Sequence, residues 1–164
     1  MSSPSSAAAQ PPVDHQAALT GALAEVGGLS FFGYVEPVEP SPFPELAATE
    51  SAWVSAAVPF RGRFDGEVHC AVPVELAREL VSSFSGGDAA AEEGPRVEDL
   101  LGEFVNMVCG SWLSRACPHE VFSLGSPRVT WMPAGWAPGA VNGSTSVPAV
   151  FNDRPIALWM TASE

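Results

Sequence analysis

Apolar positions between Val97 and Arg115, in the stretch VEDLLGEFVNMVCGSWLSR, recur with the period of an α-helix. Asp99, Glu103, Asn106 and Gly110 fall on the opposite side of that helix, at about 140° to 200° from the apolar centre. The apolar stripe, whose members fall within about 60° of its first residue, comprises Leu101, Phe104, Val105, Val108 and Trp112. The pattern predicts a long amphipathic helix with a buried back and a polar front.

The chain before this helix predicts one helix and one β-hairpin. Asp14 can cap a helix that runs to about Val26, and the following Gly27-Gly28 is typical of a helix end. Residues 52–60 and 67–72 read as two strands, which are separated by turn residues with Asp65-Gly66 as the sharper signal. The two strands are therefore expected to form an antiparallel hairpin.

A second helix and three more strands complete the predicted order. Pro73 opens a helix at the position that proline tolerates, and Gly86-Gly87 is expected to end it. Residues 122–132 predict a strand that is interrupted near Gly125 and Pro127. A last hairpin joins residues 144–151 to 155–161 across Asn152-Asp153. The predicted fold is α+β, an antiparallel sheet with packed helices in the order αββααβββ.

Composition divides the chain into a short tail and one domain. Residues 1–13 are small, polar and rich in proline, which predicts a disordered N-terminal tail. Residues 14–164 are expected to form a single domain. Within it, residues 35–50 contain the run VEPVEPSPFP, and the prolines predict an extended connector. An acidic loop, residues 88–95, leads into the long helix.

Charge and cysteine content restrict the partners and the compartment. The chain has 164 residues, of which 46% are hydrophobic and 16% charged, so a globular core is expected. Seven basic and nineteen acidic residues give a formal charge of −12, which argues against nucleic acid or an anionic membrane as partner. No secretory or membrane-spanning stretch is recognisable. Three cysteines without a CxxC motif favour a reduced, cytoplasmic setting.

Candidate metal ligands and reactive thiols are few. His69-Cys70 and the pair Cys117 and His119 supply ligand types for zinc, but their spacings match no known zinc pattern. Cysteine inside a protein most often acts as a small apolar residue. We therefore expect no metal site and no catalytic cysteine, and we expect His15 to lie in solvent.

The polar front of the long helix is the candidate site. Glu103 and Asn106 are three residues apart, so their side chains are neighbours on one helix face. Gly110 lies about one turn further on, and a glycine inside a helix costs about 1 kcal/mol relative to alanine. A glycine at this position can offset that cost by letting the backbone of another molecule approach the helix. Such a Glu–Asn pair, taken alone, most often belongs to an ordinary solvated helix face.

The longer pattern around this pair resembles the CheC/CheX/FliY family of chemotaxis phosphatases. The family helix reads roughly D-x-x-x-E-x-x-N-M-x-x-G, and this chain carries Asp99, Glu103, Asn106, Met107 and Gly110 in those places. The family usually has a proline some twenty residues past the Asn, in a Ser-Leu-Pro-like strand. The corresponding segment here, Ser123 to Pro127, has two extra residues before the proline. The general layout is similar from about residue 14 to 162.

The number of motif copies favours one branch of that family. Members of the CheC type carry two ExxN copies, whereas the first helix here has Gly28 three residues after Glu25. A single copy is similar to the CheX-like branch. CheX-like relatives can pair through sheet edges, so a homodimer is one expected arrangement.

The resemblance implies a protein phosphatase that acts on the phosphoaspartate of a CheY-like receiver domain of a response regulator. Asn106 would orient the attacking water, and Glu103 would dock the receiver's lysine. The receiver would carry the Mg²⁺, so the chain is expected to need no cofactor of its own. Further partner-binding positions implied by the motif are Asp99, Gly102, Met107 and Gly110, with Asp99 either flanking the interface or capping the helix. A non-catalytic receiver-binding or scaffold module of a two-component or motility system is the alternative.

Overall fold

The structure, a computed structural model, describes residues 13–31, 33–40, 42–84, 94–138 and 145–163. The described residues form one antiparallel sheet with helices packed against it, as predicted. The elements follow in the order α1 (His15–Glu25), a π-helical turn (Val26–Ser30), β1 (Val35–Pro37), α2 (Phe43–Ala47), β2 (Trp53–Arg61), β3 (Asp65–Pro73), α3 (Val74–Phe84), α4 (Gly94–Ala116), β4 (Ser123–Leu124), β5 (Arg128–Trp131), β6 (Thr145–Phe151) and β7 (Arg154–Ser163).

Some predicted features lie outside the described residues. The tail predicted for residues 1–13 does so apart from Val13, as does the helix end predicted at Gly86-Gly87. The acidic loop, residues 88–95, is described only from Gly94, where α4 already begins.

The sheet has the strand order β1-β6-β7-β3-β2-β4, and β5 also pairs directly with β2, along a different part of that strand from β4. Both predicted hairpins are confirmed: β2 pairs with β3 in the register Ala56↔Cys70, and β6 pairs with β7. Asn152 and Asp153 form the tight turn between β6 and β7 with φ values of 48° and 68°. Such positive values are those that a two-residue hairpin turn requires.

One face of the sheet carries the main core. Alternate residues of β2 and β3, such as Val58 and Val68, are fully buried there and belong to one cluster with α1 and α4 residues. The opposite face carries a smaller cluster in which Phe43 and Ala47 of α2 pack near Trp53. The long helix α4 is therefore supported by the central strands of the sheet.

Helix α1 lies alongside α4 and is tied to it by polar contacts. Ser111 donates a hydrogen bond of 2.9 Å to the Glu25 carboxylate, and the Arg115 guanidinium forms an ion pair with the same carboxylate. These contacts hold the pKa of Glu25 below its usual range, the Arg115 hydrogen bond being the largest cause. Gly21 allows the close approach, since a Cβ there would lie 3.0 Å from Arg115 Nη1.

Two predictions about the N-terminal half are wrong in detail. Gly27-Gly28 does not end α1, because the chain continues into the π-helical turn. Gly27 is buried, and a Cβ there would lie 2.6 Å from Val35 Cγ2, so close packing explains this glycine. His15 is not in solvent: it is half-buried, with its ring centroid 5.7 Å from that of Trp112.

The proline-rich connector contains two short elements that its composition did not predict. Strand β1 pairs with β6 at the edge of the sheet, where a proline without an N–H is tolerated. Helix α2 has Pro44 in its first turn, and it buries Phe43 and Ala47, which are one turn apart. The chain is therefore extended at β1, as expected, whereas the burial of Phe43 and Ala47 accompanies a helix where an extended conformation was predicted.

The strand predicted for residues 122–132 is divided into β4 and β5, and the break lies where it was expected. The Gly125 N–H donates a 2.8 Å hydrogen bond to the Pro59 carbonyl, and a Cβ at Gly125 would lie 2.6 Å from Pro59 Cγ. Gly125 therefore lets the chain pass close to β2 before β5 begins.

Candidate functional site

The orientation predicted for α4 is confirmed. All five residues of the apolar stripe are buried; Leu101 and Phe104 are 3% and 4% exposed, and Trp112 is fully buried. On the opposite face Asp99 and Glu103 are exposed, and Asn106 and Gly110 are partly exposed. We call Asp99, Glu103, Asn106, Gly110 and Ser114 the exposed stripe of α4.

Aromatic contacts hold the buried side of α4 in place. The ring of Trp112 packs edge-on against Phe60 of β2 with centroids 5.2 Å apart, and Phe104 packs likewise against Phe31 at 5.0 Å. Burying a large aromatic side chain stabilises a fold by roughly 2 to 3 kcal/mol. The exposed stripe therefore stands on a helix that is fixed from behind.

The side chains of Glu103 and Asn106 are available to another molecule. Within the described part of the chain, no hydrogen bond or ion pair engages the Glu103 carboxylate or the Asn106 amide. By contrast, Glu98 on the same helix accepts a hydrogen bond of 2.7 Å from Trp131 Nε1. The charged acceptor and the amide next to it thus present their hydrogen-bonding groups to solvent, while the nearby Glu98 is engaged within the fold.

Gly110 opens the surface beside this pair. A Cβ built at Gly110 would have no atom within 4 Å, so the space outside the helix is empty there. A neighbouring molecule can therefore approach the helix backbone at this point.

Gly102, for which the motif implied a partner contact, packs against other residues of this chain. It is buried, and a Cβ there would lie 3.2 Å from Pro127 Cβ and 3.9 Å from Val129 Cγ2. The side of α4 at Gly102 therefore faces the chain's own segment between β4 and β5. Pro127 is the proline that corresponds to the one in the Ser-Leu-Pro-like strand of the family. It lies against α4 even though two extra residues precede it in this chain.

Asp99 and Met107 flank the central pair in different ways. Asp99 is exposed and lies inside α4, which begins at Gly94, so it does not cap the helix. Met107 is partly buried and packs against the main core. Asp99 is therefore a surface neighbour of Glu103, whereas only part of the Met107 side chain can reach a partner.

The hydrogen bond from Trp131 to Glu98 is a feature that the sequence did not suggest. Trp131 on β5 is 40% exposed and lies beside the start of α4. Trp131 and Glu98 are far apart in the chain, so no local sequence pattern links them. The pairing of β5 with β2 brings Trp131 next to the start of α4.

The cysteine thiols are not activated. Burial raises the pKa of Cys70 and of Cys109 to about 12, and burial with the nearby Glu120 raises the pKa of Cys117. A nucleophilic cysteine needs a lowered pKa. Among the described residues, no group of three or more His, Cys, Asp or Glu side chains could hold a metal ion.

We expect Cys70 and Cys109 to remain unmodified when the native protein is treated with an aromatic disulfide reagent at pH 8. Only the half-buried Cys117 should react, and slowly, whereas all three thiols should react in denaturant. Absorbance of the released thiolate measures both rates. Rapid modification of two thiols in the folded protein would contradict this assignment.

No helix within the described ranges is long and apolar enough to cross a membrane.

Comparison with known proteins finds a family match over the central part of the chain. Residues 54–131, which span β2 to β5, match the sequence model of a family described as chemotaxis phosphatase CheX. No curated protein sequence matches the chain.

Several solved structures have the same fold. The chemotaxis protein CheX from Vibrio vulnificus is 16% identical with a TM-score of 0.72, covering 94% of this chain and 99% of that chain. CheX from Desulfovibrio desulfuricans is 17% identical with a TM-score of 0.69, covering 92% and 100%. A chain of the CheX–CheY–BeF3–Mg²⁺ complex from Borrelia burgdorferi is 15% identical with a TM-score of 0.57, covering 93% and 99%.

Proposed function

We propose that this chain is a member of the CheC/CheX/FliY family, in its CheX-like branch, and that it is a protein phosphatase for the phosphoaspartate of a CheY-like receiver domain. The observation that carries the proposal is the position of Glu103 and Asn106, exposed and unpaired among the described residues, on a helix that the core fixes. The similar Borrelia burgdorferi chain, found in a complex with CheY, supports the choice of partner.

An acyl phosphate needs little covalent help to hydrolyse. The reaction requires a water held in line with the leaving carboxylate oxygen, and positive charge near the phosphoryl oxygens. In this proposal the receiver brings the Mg²⁺ and a lysine as part of the substrate. The phosphatase then needs to add only the group that orients the water.

Asn106 is suited to orient that water. Its amide oxygen can accept a hydrogen bond from the water, and its NH₂ group can donate to a phosphoryl oxygen. The amide does not titrate, so it acts by position and not as a base. A rigid helix is a good support for it, since small displacements of a positioning group reduce the rate strongly.

Glu103 is suited to dock the receiver. Its carboxylate, one turn before Asn106, can accept a charge-assisted hydrogen bond from the receiver's lysine. That contact would bring the phosphoaspartate to Asn106. The receiver's cations also reduce the repulsion between phosphate and a chain whose formal charge is −12.

The reaction is proposed to take place in the cytoplasm, where response regulators are phosphorylated. The free thiols of Cys70, Cys109 and Cys117 are consistent with a reducing compartment.

A phosphate-release assay against a panel of phosphorylated receivers tests the function. We expect one or more receivers to lose phosphate faster when the protein is added, beyond their own rate of hydrolysis. Affinity for a BeF3-activated receiver without any acceleration would instead assign a non-catalytic binding module. Neither binding nor acceleration across the panel would contradict the proposal.

We expect Glu103→Gln to weaken docking more than chemistry. Replacing the charged acceptor by a neutral one should raise KM for the phosphorylated receiver about tenfold, because hydrogen bonds to charged groups are worth roughly 1.5 to 3 kcal/mol and neutral ones about 1 kcal/mol. Glu36→Gln on the exposed edge strand β1 is the matched control, since it removes the same charge from an exposed position outside α4. Steady-state kinetics of both variants measure the effect, and an unchanged KM for Glu103→Gln would remove the docking role.

A further inference from the structure

A groove runs from the exposed stripe of α4 to the segment that follows the helix. Gly110 and Leu113 form one side, and Val121, Phe122 and Leu124 form the other, around a volume of about 370 Å³. Val121 is 90% exposed and Leu124 is 37% exposed. The groove therefore carries apolar surface that the described residues leave open to solvent.

We propose that this groove is a second docking site for the phosphorylated receiver and that it takes an apolar side chain from the receiver surface beside the phosphoaspartate. This proposal rests on the proposed function, because the same partner must already lie over Glu103 and Asn106. It adds a source of affinity and of choice between receivers to the polar contacts of Glu103 and Asn106.

Continuity with the motif places the groove under the same partner. Gly110 lies four residues beyond Asn106, which is about 6 Å along the helix axis. A stable protein interface covers about 800 Å² on each partner, a patch of roughly 16 Å radius. A receiver centred on Asn106 would therefore extend over the groove, and the empty space outside Gly110 leaves its path clear.

The exposed stripe has no apolar anchor of its own. Protein interfaces derive most of their affinity from a few desolvated apolar or aromatic contacts inside a polar rim. Asp99, Glu103, Asn106 and Ser114 supply only polar groups. Val121 and Leu124 supply exposed apolar side chains in the groove that Gly110 joins to the stripe.

The groove also has the polar rim expected of such a site. Glu120 lines it and pairs with Arg63 at 3.0 Å, so a charged pair stands beside the apolar walls. A rim of this kind excludes water from the apolar contact and disfavours partners without a matching apolar side chain.

The substitutions Val121→Ser and Leu124→Ser test the proposal. With the receiver that the panel identifies, each should raise KM, and the Kd for its BeF3-activated form, about tenfold, the loss of one anchoring contact of about 1.4 kcal/mol. The kcat at saturation should change less than about twofold, because Asn106 is untouched. Tyr34→Ser is the matched control: Tyr34 is 72% exposed and precedes β1 at the opposite edge of the sheet.

The outcomes separate this proposal from the function on which it rests. Normal dephosphorylation by both variants, with unchanged KM and Kd, overturns the groove and leaves the phosphatase in place. A change of sedimentation mass without a change in receiver affinity also overturns it, because the groove would then bind a second copy of this chain. Absence of binding and dephosphorylation by the unmodified protein overturns both. Because Val121 is so exposed, its variant should melt within about 1 °C of the unmodified protein.

Discussion

Replacing Asn106 with alanine is expected to lower the kcat of receiver dephosphorylation about 100-fold, which corresponds to about 2.7 kcal/mol of transition-state stabilisation. The amide is the group that would hold the attacking water. Among the described residues, no side chain is hydrogen-bonded to this amide, so none is already in place to hold the water instead. The receiver's own slow hydrolysis should remain, since its Mg²⁺ and lysine are unaffected.

The effect should fall on chemistry and not on binding or folding. Asn106 is partly exposed and uses no side-chain contact within the described fold, so its truncation should leave the melting temperature nearly unchanged. The Kd for a BeF3-activated receiver should stay within about threefold, because Glu103 still docks the lysine. Stopped-flow phosphate release under saturating protein measures the rate of chemistry. A binding titration with the BeF3-activated receiver measures the Kd, and thermal unfolding measures the melting temperature.

Asn106→Asp is a close control in shape. It keeps the side-chain outline but replaces the NH₂ donor with negative charge next to a phosphoryl group, so it should be at least as slow as the alanine variant. Dephosphorylation by Asn106→Ala at the rate of the unmodified protein would remove the catalytic assignment of this residue.

Substitutions at Gly110 should stabilise the protein and impair it at the same time. Gly110→Ala is expected to raise the free energy of unfolding by about 1 kcal/mol, and the melting temperature by about 2 to 4 °C. Glycine is unfavourable inside a helix, and nothing within 4 Å would obstruct a new Cβ. The expected change in stability therefore comes from helix propensity, because a new Cβ would contact no described residue.

Receiver dephosphorylation should fall in the same variants, in the order of side-chain size. In the proposed complex, a side chain at Gly110 would project into the space next to the receiver docked on Asn106, because that space is open in this chain. We expect kcat/KM to decrease several-fold for Gly110→Ala and by more than about tenfold for Gly110→Leu, mostly through KM. Thermal unfolding and initial rates on the same samples test whether the melting temperature rises while kcat/KM falls.

Gly102→Ala is the matched control for stability on the same helix. A Cβ there meets Pro127 at 3.2 Å, so the packing must give way and the gain in helix propensity is offset. Gly102→Ala should therefore raise the melting temperature less than Gly110→Ala does. Full activity of Gly110→Leu would show that the receiver does not lie against this part of α4.

The sequence by itself determined the features that depend on neighbours along the chain. Helical periodicity separated the buried Leu101 side of α4 from the Glu103 and Asn106 side, because an apolar stripe has only one stable orientation against a core. Turn residues between residues 60 and 67, and Asn152-Asp153 further along, predicted the two hairpins for the same local reason. The motif pattern pointed to the family before any geometry was known.

Tertiary structure alone decided the features that depend on distant segments. The contact of Gly102 with Pro127, the hydrogen bond from Trp131 to Glu98 and the groove beside Gly110 each join α4 to residues after it through the pairing of β4 and β5 with β2. The proline-rich connector likewise became β1 and α2 because β6 and the outer sheet face offered hydrogen bonds and burial. Local propensity is worth tenths of a kcal/mol per residue, whereas burial and pairing are worth whole kcal/mol, so distant contacts outweigh it.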